Sequence, residues 1–507
     1  MNIQKADSTI SKVPAQQQEE GQGAGEGLAA LRKRIGHDLR CLSYPNQQWV
    51  VDLPGQPAKT LDCAVVGGGQ FGQAIAFGLK RERVDRVTVF DRNPPGLAGP
   101  WMTFARMNML RTPKDLTGPD LGIGSLTFRA WYEAQHGAAG WDALDRIPRP
   151  VWQGYLNWHR DVTGIHVESN ANVIAIEPVQ LDRHTAFKLT VNQNDKTYEV
   201  LARTVVLSSG AEGSGARVVP SFIQNSLPRS LYAHSNDDID FHALKGKRIG
   251  ILGAGAAAFD NAATALEHGA AEASLCFRRP ILPQANPRRW MEFSGYLAHY
   301  IDLPDAAKWA YMHQLYDISQ PPPEPTFKRA IALPGFRLQA GTPWDAVEAT
   351  PAGTVRARSG KRMLEFDFII ASTGMEVDLT LRSELHHIAP YVALWGDRYT
   401  PPAELAKPLL AKFPYLGRNC EFQEKIPGSA PWASKIFTIT RGATLSAGPS
   451  AASNSNMKYT APRLIQGVTR ALFLDAQQSY FDRFISHSHH ELPDELVAQV
   501  GGAKVAV

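Results

Sequence analysis

Cysteine is scarce in this sequence: four among 507 residues, at Cys41, Cys63, Cys276 and Cys420, with no CxxC pair. Such wide spacing excludes a disulfide scaffold and a cysteine-based zinc site, and it suits a reducing compartment, so a cytoplasmic protein is expected. Long apolar runs are missing too. No stretch nears the roughly 18 residues that a membrane-spanning helix needs, and the N-terminus lacks the apolar region of a signal peptide, so no membrane partner is expected. Neither sign of charge dominates, with 53 basic against 49 acidic residues and a formal net charge of +4. That balance leaves no electrostatic footprint for nucleic acid. What is present is a soluble globular mixture, 44% apolar and 20% charged. The chain is too long for one hydrophobic core, so two domains, or one interrupted by another, are expected. Segment 1–27, rich in Gln, Glu, Gly and Ser, is expected to be disordered.

The most informative feature is an internal echo. Residues 61–92 read LDCAVVGGGQFGQAIAFGLKRERVDRVTVFDR, and residues 247–279 read KRIGILGAGAAAFDNAATALEHGAAEASLCFRR. Each opens with a short apolar run typical of a buried strand, at Cys63–Val66 and Arg248–Leu252. A glycine cluster, an Ala-containing helical stretch and a second apolar run follow. This strand–turn–helix–strand unit is that of a dinucleotide fold, present twice. Two further apolar strands end in small-residue turns, Thr204–Gly210 (TVVLSSG) and Phe366–Gly374 (FDFIIASTG). The proline-dense Gln320–Pro325 predicts a loop, and the apolar spacing from Pro462 to Ile485 predicts a helix.

In the first unit Gly67, Gly69 and Gly72 form G-x-G-x-x-G, with Gln70 and Phe71 inside the turn. The first glycine permits the tight turn, the second the close approach of a pyrophosphate, the third close packing of helix on strand. The helix N-terminus offers unpaired N–H groups to the phosphates. Asp91, followed by Arg92, lies 19 residues beyond Gly72 and can accept from ribose hydroxyls. This reads as an FAD site, against a tight turn in an unliganded α/β fold. In the second unit Gly253, Gly255 and Ala258 form G-x-G-x-x-A around Ala256, and the second strand ends in Arg278 and Arg279 instead of an acid. A guanidinium binds a 2′-phosphate that a carboxylate would repel. The second site therefore reads as one for NADPH, against an arginine pair capping an edge strand in solvent.

These motifs, in this order, resemble the class B flavin-dependent monooxygenases, a superfamily that includes flavin-containing, Baeyer–Villiger and N-hydroxylating lysine and ornithine monooxygenases. The likeness covers roughly residues 58–480. Gly96-Leu97-Ala98-Gly99-Pro100-Trp101 resembles their Gly-Gly-x-Trp element, and the two small-residue strands resemble their Ala-Thr-Gly linkers. Lys114-Asp115-Leu116, Ser125–Tyr132 and Pro148–Trp158 resemble most closely the N-hydroxylating enzymes. Of the element Phe-x-Gly-x-x-x-His only His234-Ser235 is kept, with Pro228 and Ser230 in the other places.

The resemblance implies an α/β protein with two Rossmann-like dinucleotide-binding domains, the NADPH domain inserted in the FAD domain. The expected boundaries are an extension over 1–57, FAD-binding parts over 58–240 and 366–485, an NADPH-binding part over 241–365, and a tail over 486–507. It implies that NADPH reduces the flavin, that O₂ then forms a C4a-(hydro)peroxyflavin, and that a small-molecule nitrogen, sulfur or ketone is oxygenated, with N-hydroxylation favoured. It further implies that Lys114 contacts a substrate carboxylate, that Asn108 sits near the reactive flavin edge and that Trp101 sits at the cofactor. Trp101, Trp131, Trp152 and Trp158 line the flavin or substrate cavity, or else build core. No metal ligand set is needed, and His487, His489 and His490 read as a solvated tail. The insert from about Pro280 to Thr350 is a candidate lid, and a homo-oligomer is compatible with the resemblance. Two alternatives stay open: an NADPH:acceptor flavin reductase, and a flavoprotein that turns nothing over.

Overall fold

The computed structural model describes residues 22–116, 118–182 and 184–499. Within them the two glycine-turn units each seed a parallel sheet. In the first, β1 (Leu61–Val66) lies between β2 (Val87–Phe90) and β6 (Lys196–Leu207), parallel to both, with Val66 opposite Phe90 and Leu207. The short β3 (Val167–Glu168) extends the β2 side. On the other side, β4 (Ala171–Leu181), β5 (His184–Gln193) and β6 form an antiparallel meander. The first half of β6 pairs with β5, and its last residues, Val205–Leu207, pair instead with β17 (Ile436–Thr438) from far along the chain.

Helix α2 (Gln70–Arg81) follows the first glycine turn and buries Phe71, Ala74, Ile75, Phe77 and Leu79. Each of the Phe, Ile and Leu side chains is worth roughly 1.5–3 kcal/mol when fully buried. Gly78 lies so close to another helix, α9 (Asn454–Asp475), that an added Cβ would stand 2.0 Å from Ile465 Cδ1.

The second sheet is wholly parallel, in the order β11 (Phe336–Gln339), β10 (Glu272–Cys276), β9 (Arg248–Leu252), β15 (Phe368–Ala371), β8 (Tyr232–His234). Helix α5 (Ala256–Glu267) covers it, burying Ala258, Phe259, Ala262, Ala263 and Leu266. β8 and β15 lie just outside 241–365 on either side, so this sheet is broader than the expected boundaries. A ribbon of β7 (Gly215–Arg217) with β16 (Met375–Val377) and a meander of β12 (Ala346–Ala349), β13 (Val355–Ser359) and β14 (Arg362–Phe366) complete the sheets.

Four local expectations are corrected. Residues 1–21 of the segment expected to be disordered lie outside the described residues, but 22–27 begin helix α1 (Gln22–Cys41). Leu28, Leu31, Ile35 and Leu39 recur at helical spacing and pack into an aromatic cluster with α3 (Phe128–Ala143) and α4 (Arg149–Thr163). That packing overrides a polar composition. The loop expected over Gln320–Pro325 ends early, because Pro325 sits in the first turn of α8 (Glu324–Ile331), where its missing N–H costs nothing. The Phe366–Gly374 strand is split between β14 and β15. The C-terminal helix starts at Asn454, carries Pro462 inside, and breaks at Ala476 before α10 (Gln477–Ile485).

Candidate functional site

In open α/β sheets ligands bind beyond the carboxyl ends of the strands, where strand order reverses. Both glycine turns stand at such points, one after β1 between β2 and β6, the other after β9 between β10 and β15. Gly67 has φ +106° and its Cβ position lies 2.5 Å from Ser208 O, while a Cβ at Gly72 would lie 1.9 Å from Gly67 O. Only glycine closes this turn. Gly69 caps α2 without a side-chain bond and its Cβ position meets only Gly99 at 3.6 Å, so the first-turn N–H groups open onto a gap between two glycines.

Asp91 is buried and points at the turn. Its Oδ2 accepts the Gly68 N–H at 2.7 Å and its Oδ1 the Asn93 N–H at 2.8 Å. Burial raises its pKa, against the lowering pull of these two donors. Each oxygen retains a lone pair for a ribose hydroxyl. Arg92 pairs with Glu212 at 3.5 Å, and Phe71 is packed into the core. Gln70, first residue of α2, donates Nε2–H to Asn454 Oδ1 and accepts the Trp152 Nε1–H at 3.3 Å. Asn454 is the first residue of α9, whose N-cap Ser453 makes no side-chain capping bond either, its hydroxyl donating to Ser450 O at 2.6 Å. Two uncapped helix N-termini thus face one cleft, a positive environment for a cofactor carrying a pyrophosphate and an anionic reduced ring. Trp101 Nε1 is buried in the same region without a partner among the described residues. These features fit FAD.

The second cradle repeats the pattern with a different electrostatic end. Gly253 has φ +132° and a Cβ there would lie 2.3 Å from Ser372 O. Gly255 caps α5, with nothing within 4 Å of its Cβ position. Ala256 opens the helix and Ala258 is buried beneath it. The Gly253 N–H is held by Cys276 O at 2.9 Å, so the chain just beyond, with Arg278 and Arg279, runs beside the turn. Arg278 is exposed and makes no hydrogen bond or ion pair among the described residues. Arg279 donates to Asp317 O at 3.1 Å and Ser319 Oγ at 3.0 Å, and walls a cavity of about 370 Å³ with Pro280–Ala285 and Ile318. An open helix N-terminus beside a free guanidinium fits a phosphorylated nucleotide.

A set of arginines, unmarked by any motif, fixes one cradle against the other. Arg106 donates to Ser235 O at 3.0 Å and Asp237 O at 2.6 Å, and burial lowers its pKa to about 10. Arg111 bonds Asp260 of α5 at 2.6 Å, and Arg329 reaches Arg106 O at 2.9 Å. Asp260 is buried, so this pairing is costly to break from one side. His234 is buried, with Nε2 on Gly374 O at 2.9 Å, and burial lowers its pKa, so the neutral ring bridges β8 to the end of the β15 turn.

The substrate-side candidates are dispersed. Lys114 Nζ donates to Trp141 O at 2.7 Å and lies 4.9 Å from the Trp141 ring. Asn108 is exposed, and its backbone O accepts the Arg149 N–H at 3.0 Å. Trp131 and Trp152 are buried, with Trp158 half-buried, in the cluster of α1, α3 and α4, so these three are core; Trp101 packs against its edge. His487, His489 and His490 are exposed.

Two dinucleotide cradles in one chain agree with its similarity to known proteins. Residues 64–212 match the FAD-NAD(P)-binding family, and residues 142–312 match the L-lysine 6-monooxygenase/L-ornithine 5-monooxygenase family. Over 465 residues the chain is 41% identical to the FAD-dependent urate hydroxylase of Xanthomonas campestris pv. campestris, covering 92% of this chain and 97% of that one. The chain belongs to the class B flavin-dependent monooxygenases. It is an enzyme that uses FAD and NADP(H). The fold is that of the ornithine hydroxylase of Pseudomonas aeruginosa, with TM-score 0.65 at 16% identity, over 82% of this chain and all of that one. It is likewise that of the L-lysine 6-monooxygenase of Pseudomonas syringae, with TM-score 0.59 at 17% identity, over 81% and 99%. This monooxygenase has no helix among its described residues long and apolar enough to cross a membrane. Burial raises the thiol pKa values of Cys63, Cys276 and Cys420 to about 12, 11 and 12, which makes each a poor redox nucleophile.

Proposed function

We propose that this monooxygenase hydroxylates urate, using NADPH and O₂. The observation that carries the reading is the 41% identity to a urate hydroxylase across nearly the whole of both chains. In the balanced reaction NADPH supplies two electrons, one oxygen atom enters urate and the other leaves as water.

The bound flavin, once reduced, supplies the two-electron activation of O₂. The chain's own residues do the rest. Gly67, Gly69, Gln70, Gly72 and Asp91 would hold its dinucleotide, with Phe71 and Arg92 supporting the turn and Trp101 at the edge. Gly253, Gly255, Ala256, Ala258 and Arg278 would hold NADPH, the free Arg278 guanidinium on the 2′-phosphate and Arg279 fixing the cavity wall. Arg106, Arg111 and Arg329 keep the two cradles in register, so that a hydride can pass between bound rings. The domains are best drawn as an FAD unit built on β1, β2, β6 and β17 with an NADPH unit from β8 to β15 inserted.

A second reading, N-hydroxylation of an amine-bearing amino acid, is favoured by the family match over 142–312. It assigns the substrate carboxylate to Lys114, and the Trp141 carbonyl that already accepts from Lys114 weighs against it. Asn108 would serve either substrate from the loop before Lys114. The test is NADPH consumption in air with urate, ornithine or lysine, coupled to mass analysis of the product. The urate reading predicts stimulation by urate and a product one oxygen atom heavier. Stimulation by ornithine or lysine alone would replace it with the second reading.

A further inference from the structure

We propose that Arg288 and Arg441, together with the Tyr296 and Tyr316 hydroxyls, form the substrate site, shaped for the oxygen-bearing edge of a planar heterocyclic anion. The proposal rests on the urate reading and names the residues that would recognise that substrate.

Arg288 lies in a short helical turn, Pro287–Trp290, within the insert after β10. Its Nη1 donates to Pro449 O at 2.6 Å and its Nε to Gln320 Oε1 at 2.9 Å, while its Nη2 has no hydrogen-bond partner among the described residues. Arg441 opens the turn after β17, and among the described residues its side chain makes one bond, a long one of 3.4 Å to Tyr316 Oη. Among the described residues neither arginine has a carboxylate within ion-pair distance. They feel each other: burial first, then the Arg441 charge, lower the Arg288 pKa, and Glu292 acts weakly the other way. Two guanidinium groups share this region with no carboxylate in direct contact among the described residues, which is unfavourable unless an anion joins them.

An independent observation marks the same place. Tyr296 is 7% exposed, and its hydroxyl is buried without a partner among the described residues. Trp290, two residues past Arg288, packs edge-on to Tyr296 with centroids 5.7 Å apart, which brings that ring to the Arg288 turn; burial, then Tyr311, raise the Tyr296 pKa, while Arg288 lowers it. A buried O–H without an acceptor costs free energy unless a ligand satisfies it. The neighbouring side chains are aromatic: Trp290 stacks on Tyr311 with centroids 6.2 Å apart and planes at 26°, and Tyr296 meets Tyr311 edge-on at 5.3 Å. Flat faces with donors at one end fit a planar anion such as the urate monoanion better than a flexible amino acid.

The site adjoins the flavin cradle. Pro449, which holds Arg288, lies five residues before Asn454, which bonds Gln70 at the head of α2. Glu292, four residues past Arg288, accepts the Ser455 hydroxyl at 3.1 Å. The insert therefore closes over the N-terminus of α9, as a lid on the cofactor cleft would.

The holoenzyme tests this through Arg288→Lys, Arg288→Ala, Arg441→Lys, Arg441→Ala and Tyr296→Phe. Expected are wild-type FAD content, wild-type KM for NADPH and an unchanged rate of anaerobic flavin reduction. KM for urate should rise 30-fold or more in the alanine variants with kcat within fivefold, with partial rescue by lysine. Tyr296→Phe should raise KM for urate several-fold without loss of thermal stability, the opposite of a packing role. Unchanged KM for urate in all five variants overturns the site and leaves the urate reading intact. If wild type does not turn over urate, the readout becomes perturbation of the flavin spectrum by urate and by orotate. Perturbation lost in the arginine variants keeps the anion site and removes the urate reading. No perturbation of wild type by either anion, or equal perturbation by inorganic phosphate, overturns the site.

Discussion

The Asp91 carboxylate braces the first glycine turn by accepting the Gly68 N–H at 2.7 Å, across 23 residues of chain. With its other oxygen on Asn93 N–H at 2.8 Å, it ties the end of β2 to the end of β1 and faces the cofactor cleft. Replacing it by alanine strands the buried Gly68 N–H, at about 1–3 kcal/mol, and also releases the half-buried Asn93 N–H. Asp91→Ala is expected to purify without flavin and Asp91→Asn with partial occupancy, as read from the ratio of flavin to protein absorbance. Full flavin content in Asp91→Ala would contradict the assignment.

The glycines of the second turn divide cleanly. A Cβ at Gly253 would press on Ser372 O at 2.3 Å in a backbone conformation side chains avoid, whereas one at Gly255 enters open space. Gly253→Ala should destabilise the fold, seen as a lower melting temperature. Gly255→Ala should melt like wild type and keep FAD, yet raise KM for NADPH tenfold or more, because its methyl occupies the place of the pyrophosphate. Unchanged KM in Gly255→Ala would argue against a nucleotide there.

Arg278 makes no contact that the fold depends on among the described residues. Arg278→Ala should therefore leave the melting temperature unchanged, raise KM for NADPH roughly 10–100-fold, about 1.4–2.7 kcal/mol, and leave KM for NADH alone. Parallel steady-state kinetics with the two nucleotides check this. Equal losses for both would assign Arg278 elsewhere.

His159 supplies a pH prediction. It is fully buried on α4, edge-on to Phe77 at 5.9 Å, and burial lowers its pKa from 6.5 to about 3. The fold holds the neutral ring, so stability is intact above the unfolded value and is lost as pH falls from 6.5 towards 3, by up to about 1.4 kcal/mol per unit. His159→Phe should flatten that part of the acid arm in urea melts at pH 6 and pH 4. An equal acid slope in the variant would place the sensitivity on another group.

The two dinucleotide units were legible because their signals are local. A buried strand, glycines that sterics demand and a terminal charge lie within some thirty residues, and both turns, both helices and the orientation of Asp91 follow. Helix α1 was not legible, because the tertiary cluster around Trp131 and Trp141 decides it, not its own polar composition. The partner switch in β6 joins residues 205–207 to 436–438, a pairing with no local mark. For the same reason Arg288 and Arg441, separated by 153 residues, carry no motif. Lys114 was drawn from a three-residue likeness, and the Trp141 carbonyl that engages it is visible only in the fold.

The most direct test of the whole account is turnover of urate by purified holoenzyme with NADPH under ¹⁸O₂. Urate hydroxylation predicts one ¹⁸O atom in the product, one NADPH and one O₂ consumed per urate, and no product in the absence of oxygen. NADPH oxidation that proceeds equally well with an artificial acceptor under nitrogen, and leaves urate unlabelled and unconsumed in ¹⁸O₂, would contradict it.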